Sequence, residues 1–277
     1  MKPTSVVIVV SLALLSLAVR AQAQSYDSEL RLGVEAYRNS RFEEAIHHFS
    51  QATELDPSKA EAHLYLATAH SNQFIPGVDT EDNQLIGTNA IEQYQLALDS
   101  GDANEGAKRS SVKGIAYLYM NMKKWDEAKT YYQKASALDP NDPEPYYAMG
   151  VIDWTRCYQP RMEARARLDM RPEEQLNAKN PEQKRVCDDL RIKNMPTVED
   201  GIEQLNEAIE HRPDYDDAMA YMNLMYRERA DLECDDPAAR RRDLRTADEW
   251  VDTTIATKKI KSARAERGRA PTAPNPQ

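Results

Sequence analysis

FEEAIHHFSQATELDP, residues 42–57, returns later in the chain as WDEAKTYYQKASALDP, residues 125–140. The two segments share Glu, Ala, Ala, Leu, Asp and Pro in register, and they exchange one aromatic residue for another at two places. The first alanine, the aromatic residue and the second alanine recur at i, i+4 and i+7, which places them on one face of a helix. The closing proline lacks an N–H and disfavours the α conformation before it, so it ends the helix. The chain therefore repeats one helical segment.

The same pattern occurs twice more, around Gly201 with its proline at Pro213 and around Ala90 without the proline. Glycine or alanine recurs where two helices cross closely, because a larger side chain there would hold the axes apart. Large residues fill the space beside each small one. The residues predicted to pack helix on helix, together with the closing prolines, are Leu32, Gly33, Ala45, Phe49, Ala52, Pro57, Ala90, Tyr94, Ala97, Ala116, Ala128, Tyr132, Ala135, Pro140, Gly150, Gly201, Leu205, Ala208 and Pro213.

These landmarks resemble the tetratricopeptide repeat, a pair of antiparallel helices of about 34 residues. Pro57 and Pro140 lie 83 residues apart, two such periods with an insertion. The resemblance implies an all-α fold, a right-handed α-solenoid of about five helix-turn-helix units within residues 24–257. The predicted units span residues 26–59, 60–108, 109–142, 143–215 and 216–257. Insertions are predicted in units two, four and five, at residues 73–88, 156–197 and 229–240; Pro76 and Gly77 mark the first as a loop.

In this repeat family the first helix of each unit lines an inner groove that binds a peptide or protein segment. Carried onto this chain, the groove residues are Tyr37, Arg38, Asn72, Lys113, Tyr117, Met120, Asn121, Tyr147, Trp154, Leu224 and Arg227. Leu30, Val34, Leu64, Thr68 and Val151 belong to the same predicted faces. Val34 and Thr68 stand where the chaperone-binding members place the Asn of a clamp for a chain-terminal carboxylate, so that ligand is not expected. Trp154 has packing under the adjacent insertion as its alternative role.

The N-terminal residues have the pattern of a signal peptide. Lys2 is followed by an apolar run from Val6 to Val19 and by Ala21-Gln22-Ala23, the small-x-small pattern of a cleavage site. The run is shorter than the roughly 20 residues of a membrane-spanning helix. Cleavage after Ala23 would export the chain with no integral membrane segment in the mature form. The bacterial periplasm is the preferred compartment, with a eukaryotic secretory route as the alternative.

Three cysteines would then lie in an oxidising compartment, where disulfides persist. The odd number leaves at least one thiol unpaired or bonded to another molecule. A Cys157–Cys187 bridge would close the large insertion. Cys234 is the competing partner for either residue, and three unpaired thiols remain the alternative.

Charge is distributed unevenly along the chain. The formal net charge is −10, which argues against nucleic-acid binding because phosphates require a basic surface. From Arg240 onward, however, ten basic residues face five acidic ones. Residues 258–277 are predicted to be a basic, proline-containing disordered tail. Its simplest role is a solvated end of the stack; docking to an acidic surface or to anionic lipid is the alternative.

No catalytic constellation is evident in the sequence. His47 and His48 are adjacent and point in different directions, while His63 and His70 fall at core positions of the repeat. We predict no cofactor and no metal site. The leading hypothesis is an exported, non-enzymatic scaffold that binds a protein or peptide partner in its groove. The alternatives are a structural subunit of a cell-envelope assembly, docked peripherally by its convex face or basic end, and, more remotely, a metal-assisted hydrolase using these histidines or the surface carboxylates.

Overall fold

The structure is a computed structural model that describes residues 25–269. Over this range the chain forms ten α-helices and no strand. They are α1 Tyr26–Arg38, α2 Phe42–Leu55, α3 Ala60–Gln73, α4 Glu81–Asp99, α5 Glu105–Asn121, α6 Trp125–Leu138, α7 Pro143–Arg167, α8 Pro181–His211, α9 Asp216–Leu232 and α10 Pro237–Arg269. The all-α class predicted from the repeats is confirmed. The predicted signal peptide lies outside the described residues.

Local signals explain most helix ends. The side chains of Thr80, Asn104 and Asn180 accept hydrogen bonds from backbone N–H groups of the first turns that follow them, which satisfies donors that have no partner inside the helix. The three predicted stop prolines act as expected. Leu55, Leu138 and His211 end their helices two residues before Pro57, Pro140 and Pro213.

The chain divides into two compact units, residues 1–123 and 124–277. In unit one, α1 to α5 pack each against the next, and α1, α3 and α5 also contact one another in series. Buried residues of α1, α2 and α3 form its first core, which comprises Ala36, Ala45, Phe49, Leu66 and Ala69. A stack of helix pairs requires contacts between alternate helices, because one pair cannot bury its apolar face alone.

Two glycines in unit one lie where an aromatic ring of the facing helix comes close. A Cβ added at Gly33 would lie 2.5 Å from two ring carbons of Phe49, and one added at Gly114 would lie 2.5 Å from two ring carbons of Tyr94. Both rings are buried. Gly33, a predicted packing residue, and Gly114, which was not predicted, thus each admit a large residue of the facing helix.

Unit two contains α6 to α10, again packed in sequence, with α7 also contacting α9. Its core gathers buried residues of α7, α8 and α9, including Leu205, Met222 and Met225. Gly150 on α7 repeats the arrangement of Gly33, since a Cβ there would lie 2.5 Å from Cγ of Leu205.

The predicted insertions are more regular than expected. The loop between α3 and α4 occupies only residues 74–80, because α4 begins at Glu81 within the predicted 73–88 insertion. Most of the 156–197 insertion lengthens α7 and α8, which carry Pro160 and Pro196 within them. The 229–240 insertion reduces to residues 233–236 between α9 and α10. Prolines weaken a helix but do not break it where packing holds both sides.

The predicted disordered tail is wrong up to Arg269, because α10 continues through residues 258–269. Residues 258–267 are mostly Lys, Arg, Ala, Ile and Glu, of which all but Ile are strong helix formers. Lys261 pairs with Asp216 at the start of α9, which anchors this part of α10. Residues 270–277, with all three prolines of the predicted tail, lie outside the described part of the chain.

The predicted Cys157–Cys187 bridge is also wrong. Cys187 on α8 is bonded to Cys234, with the two Cα atoms 6.5 Å apart, while Cys157 is a buried free thiol. The Cys157 thiol lies 3.8 Å from the carbonyl oxygen of Asn194. Asn194 is seven residues beyond Cys187, which is about 10 Å along the helix. Cys157 therefore contacts α8 about two turns away from Cys187, too far for a bond between them. Disulfides require Cα separations of about 4.4–6.8 Å.

Candidate functional site

A cavity of about 390 Å³ opens on unit one where α1, α3 and α5 meet. We call it the unit-one cavity; its lining is Val34, Tyr37, Arg38, Phe49, Leu64, Tyr65, Thr68 and Ser110. Tyr37 and Arg38 were predicted as groove residues, and Val34, Leu64 and Thr68 belong to the same predicted faces. Phe49 was assigned to packing alone, whereas Tyr65 and Ser110 were missed. Tyr65 adjoins the predicted Leu64, and Ser110 lies seven residues before the predicted Tyr117. Their positions relative to these residues on the helices could have identified them.

A hydrogen bond between two predicted groove residues joins α1 to α3 beside this cavity. The Asn72 side-chain amide donates to the Tyr37 hydroxyl at 2.7 Å and also to the backbone carbonyl of Thr68 at 2.9 Å. The Tyr37 ring packs edge-on against Phe42, with ring centroids 5.5 Å apart. These two contacts hold the Tyr37 side chain in one orientation. A ligand that binds against it would therefore lose less side-chain conformational entropy on binding.

The α5 residues of the predicted groove do not line the cavity itself. Tyr117 is 44% exposed, and Lys113, Met120 and Asn121 are half-buried. The Asn121 side chain donates to the backbone carbonyl of Tyr117 at 2.8 Å. Because Ser110 and Tyr117 lie seven residues apart on one helix face, Tyr117 extends the surface that begins at the cavity.

Unit two has an aromatic cluster between α7 and α9. The Tyr147 ring lies 4.9 Å from Tyr215 and 5.7 Å from Tyr221, and Trp154 lies 5.5 Å from Tyr221 and stacks on Tyr158 at 4.9 Å. Tyr147 and Trp154 were predicted groove residues; the other three were missed. Burial raises the pKa of Tyr147 to about 12, with smaller contributions from nearby Tyr221 and carboxylates. The Trp154 ring is half-buried and its face is covered by Tyr158, so part of it serves packing.

The repeats are also recognised by comparison with known proteins. A family model described as "TPR repeat" matches residues 34–73 and 116–154, which contain the repeated segments at residues 42–57 and 125–140. The chain contains tetratricopeptide repeats over these two segments.

The chain also resembles several other proteins. The type IV pilus assembly protein PilF of Pseudomonas aeruginosa is 24% identical over 145 residues, a match that covers 45% of this chain and 58% of PilF. A crystal structure of MamA gives a TM-score of 0.56 at 14% identity, over 91% of this chain and 98% of that one. YrrB, titled a TPR protein with an unusual peptide-binding site, gives 0.54 at 15% identity, over 91% of this chain and 97% of that one. At these identities the solved structures show a common fold.

Two predicted groove residues of the repeat protein lie on α9. Leu224 is half-buried. The Arg227 guanidinium donates to Asn223 at 2.8 Å and to Asp248 on α10 at 2.7 Å. Arg227 therefore already has a carboxylate partner within unit two.

Buried charges in unit two are paired with one another. The Lys129 ammonium lies 2.7 Å from Asp153 and 2.5 Å from Asp200, joining α6, α7 and α8. The Asp153 side chain is fully buried, and this burial raises its pKa to about 6 although Lys129 opposes the shift. Farther along α7, Arg161 binds Glu228 through two hydrogen bonds of 2.8 and 2.7 Å. These groups face one another rather than a cleft, so they serve structure.

Two of the histidines that suggested a metal site, His48 and His63, have other partners. His48 lies 2.7 Å from the buried carboxylate of Glu29, and His63 contacts Gln93 and the carbonyl of Pro57. Within residues 25–269, no group of three or more His, Cys, Asp or Glu side chains is arranged to hold a metal ion. Over the same range, no helix combines the length and apolar character needed to cross a membrane.

Proposed function

We propose that this protein is an exported, non-enzymatic scaffold that holds a segment of a partner protein against unit one. The observation that carries the proposal is the unit-one cavity, which opens among the three helices predicted to line the groove. Its volume of about 390 Å³ lies within the range of ligand pockets, about 300–1,000 Å³.

The composition of this surface supports binding of a peptide. Tyr and Arg are enriched at protein interfaces and often dominate their energetics. Val34 and Leu64 supply apolar contact, Tyr37 is fixed by Asn72, and Tyr117 is exposed alongside. Because these residues stand on packed helices rather than on loops, the surface is preformed. Lys113, Met120 and Asn121 on α5, and Tyr147, Trp154 and Leu224 in unit two, complete the proposed partner-binding set.

Export to the periplasm is part of the proposal. The Cys187–Cys234 disulfide supports it, since such bonds persist in oxidising compartments and are rare in the cytosol. The N-terminal apolar segment and the similarity to a bacterial pilus assembly protein point in the same direction.

Pull-down from the native compartment tests the groove. Tyr117→Ala removes an exposed ring and leaves packing intact, so we expect it to reduce partner recovery about ten-fold or more, as removal of an interface aromatic does. Tyr147→Ala tests the second surface in unit two. Leu96→Ala, an equally exposed apolar residue on α4 (41%), is the control. Unchanged recovery with both tyrosine variants would contradict the proposal.

A second function is favoured by the surface of α10. Ile255 and Ile260 are 47% and 52% exposed, beside Lys258 and Lys259, which gives this end an apolar and basic character. Docking of this end onto an envelope assembly would explain both features. The double variant Lys259→Glu/Ile260→Ser discriminates the two functions. Loss of envelope association in this variant, with Tyr117→Ala normal, supports the structural-subunit function.

A further inference from the structure

Arg38 differs from the other charged groups near the unit-one cavity. It lines the cavity from α1, and within residues 25–269 its guanidinium forms no ion pair or hydrogen bond. Arg41, three residues later, binds Glu44 at 2.8 Å. In the cavity, therefore, a permanent cation with five donors stands beside apolar and aromatic groups and has no anion.

The surroundings of Arg38 restrict what can occupy the cavity. Val34, Phe49 and Leu64 provide apolar walls, which favour a large apolar side chain. Burial and, after it, Glu61 raise the pKa of the Tyr65 hydroxyl, whereas the positive charge of Arg38 lowers it. The Arg38 guanidinium therefore acts on the cavity wall at Tyr65, although burial and Glu61 outweigh its effect there.

We propose that the unit-one cavity recognises two adjacent residues of the bound segment, one large and apolar and the other acidic. The apolar side chain enters the cavity, and the carboxylate of the adjacent Asp or Glu binds Arg38. Arginine suits this role because its planar fork binds carboxylates through two parallel hydrogen bonds. We assign the carboxylate to a side chain within the segment, since the resemblance to the repeat family implies no amide clamp for a chain terminus at Val34 and Thr68. The inference rests on the proposed function and adds the chemistry of the partner.

Two matched peptides test the inference on the full chain. Both are acetylated, amidated and fluorescently labelled; one contains Leu-Glu between Gly-Ser linkers, and the other has Leu-Gln in its place. We expect the wild-type protein to bind the Leu-Glu peptide about ten-fold tighter, the effect of one charge-assisted hydrogen-bond pair. In Arg38→Gln the two peptides should bind equally. Raising NaCl from about 50 to about 300 mM should weaken Leu-Glu binding to the wild type and leave the variant unaffected.

Controls separate the outcomes. Arg41→Gln removes a neighbouring but paired arginine and should retain the preference; a thermal melt of Arg38→Gln should match the wild type because the side chain has no partner to lose. A Leu-Gln peptide with a free C-terminal carboxylate that binds as tightly as Leu-Glu would overturn the choice of a side-chain carboxylate. Equal binding of the two peptides to the wild type, no binding of either, or a preference that survives Arg38→Gln would overturn the role of Arg38. If the native partner is still lost with Tyr117→Ala, the proposed function stands without it.

Discussion

The ring of Phe49 occupies the space that a side chain at Gly33 would need. Cδ1 and Cε1 of the ring lie 2.5 Å from where a Cβ would be, and Phe49 is 1% exposed, so the ring has no room to retreat. The pairing joins α1 to α2, and Gly150 with Leu205 repeats it in unit two. One missing methyl group thus sets how closely two helices approach.

Gly33→Ala should destabilise the protein, although alanine is a better helix former than glycine by about 1 kcal/mol. We expect a net loss of about 1–3 kcal/mol in the free energy of unfolding, the usual effect of overpacking, measured by chemical denaturation. Gly101→Ala is the matched control, because no atom lies within 4 Å of a Cβ there. A Gly33→Ala protein as stable as the wild type would show that the close approach of Phe49 to Gly33 does not contribute to stability.

The cysteines give a second prediction, measured by intact mass after alkylation. Burial raises the pKa of the Cys157 thiol to about 12, so the folded protein should resist alkylation at pH 8, where only thiolates react. Unfolded without reductant it should gain one label, and after reduction three. Three labels without reductant would disprove the Cys187–Cys234 bond.

Reduction of that bond should also lower stability. The disulfide spans 47 residues of sequence, for which the chain-entropy model gives about 4 kcal/mol. Cys187→Ser/Cys234→Ser should reproduce the loss in urea denaturation under non-reducing conditions, while Cys157→Ser, the control, should leave the disulfide contribution intact. A double variant as stable as the wild type would contradict the expected stabilisation.

Lys129 and Asp153 give a pH-dependent prediction. The folded-state pKa of Asp153, about 6, lies above the usual aspartate value of 3.8, so the folded state binds this proton more tightly than the unfolded state. The contribution of Asp153 is therefore most favourable below about pH 4 and is lost as pH rises through about 6. Lys129→Met should cost about 3–5 kcal/mol at pH 7.5, because it leaves a buried carboxylate unpaired.

This loss should shrink on lowering the pH toward 4.5, as Asp153 becomes protonated. Lys129→Met/Asp153→Asn removes both charges and should recover most of the stability with little dependence on pH. A loss in Lys129→Met that is the same at both pH values would show that Asp153 does not titrate in this range.

The sequence predicted the fold well where physical signals are local. Alanine spacing and the closing prolines identified the helix pairs, because a helix face and a proline stop depend on residues close in sequence. Pro160 and Pro196 lie inside helices, and the lengthened helices are held by distant contacts, such as Arg161 with Glu228, that no local pattern shows.

The candidate site was predicted only in part. Tyr37 and Arg38 follow from the repeat register, and both line the unit-one cavity. Tyr221, by contrast, joins Tyr147 through the packing of α7 on α9, a contact between residues that lie 74 positions apart in the sequence. The pairing of Cys187 with Cys234, which the sequence left open as an alternative, depends on the same kind of long-range contact.

Site-specific photo-crosslinking in the native compartment tests the central claim, that unit one holds a partner segment against its inner helices. A photoreactive amino acid replaces Tyr117 in one protein and Leu96 in another, and adducts are identified by mass spectrometry. We predict one dominant partner peptide attached at position 117, absent at position 96 and lost when Leu64→Arg fills the cavity. Equal adducts at both positions, or adducts that persist in Leu64→Arg, would contradict the claim.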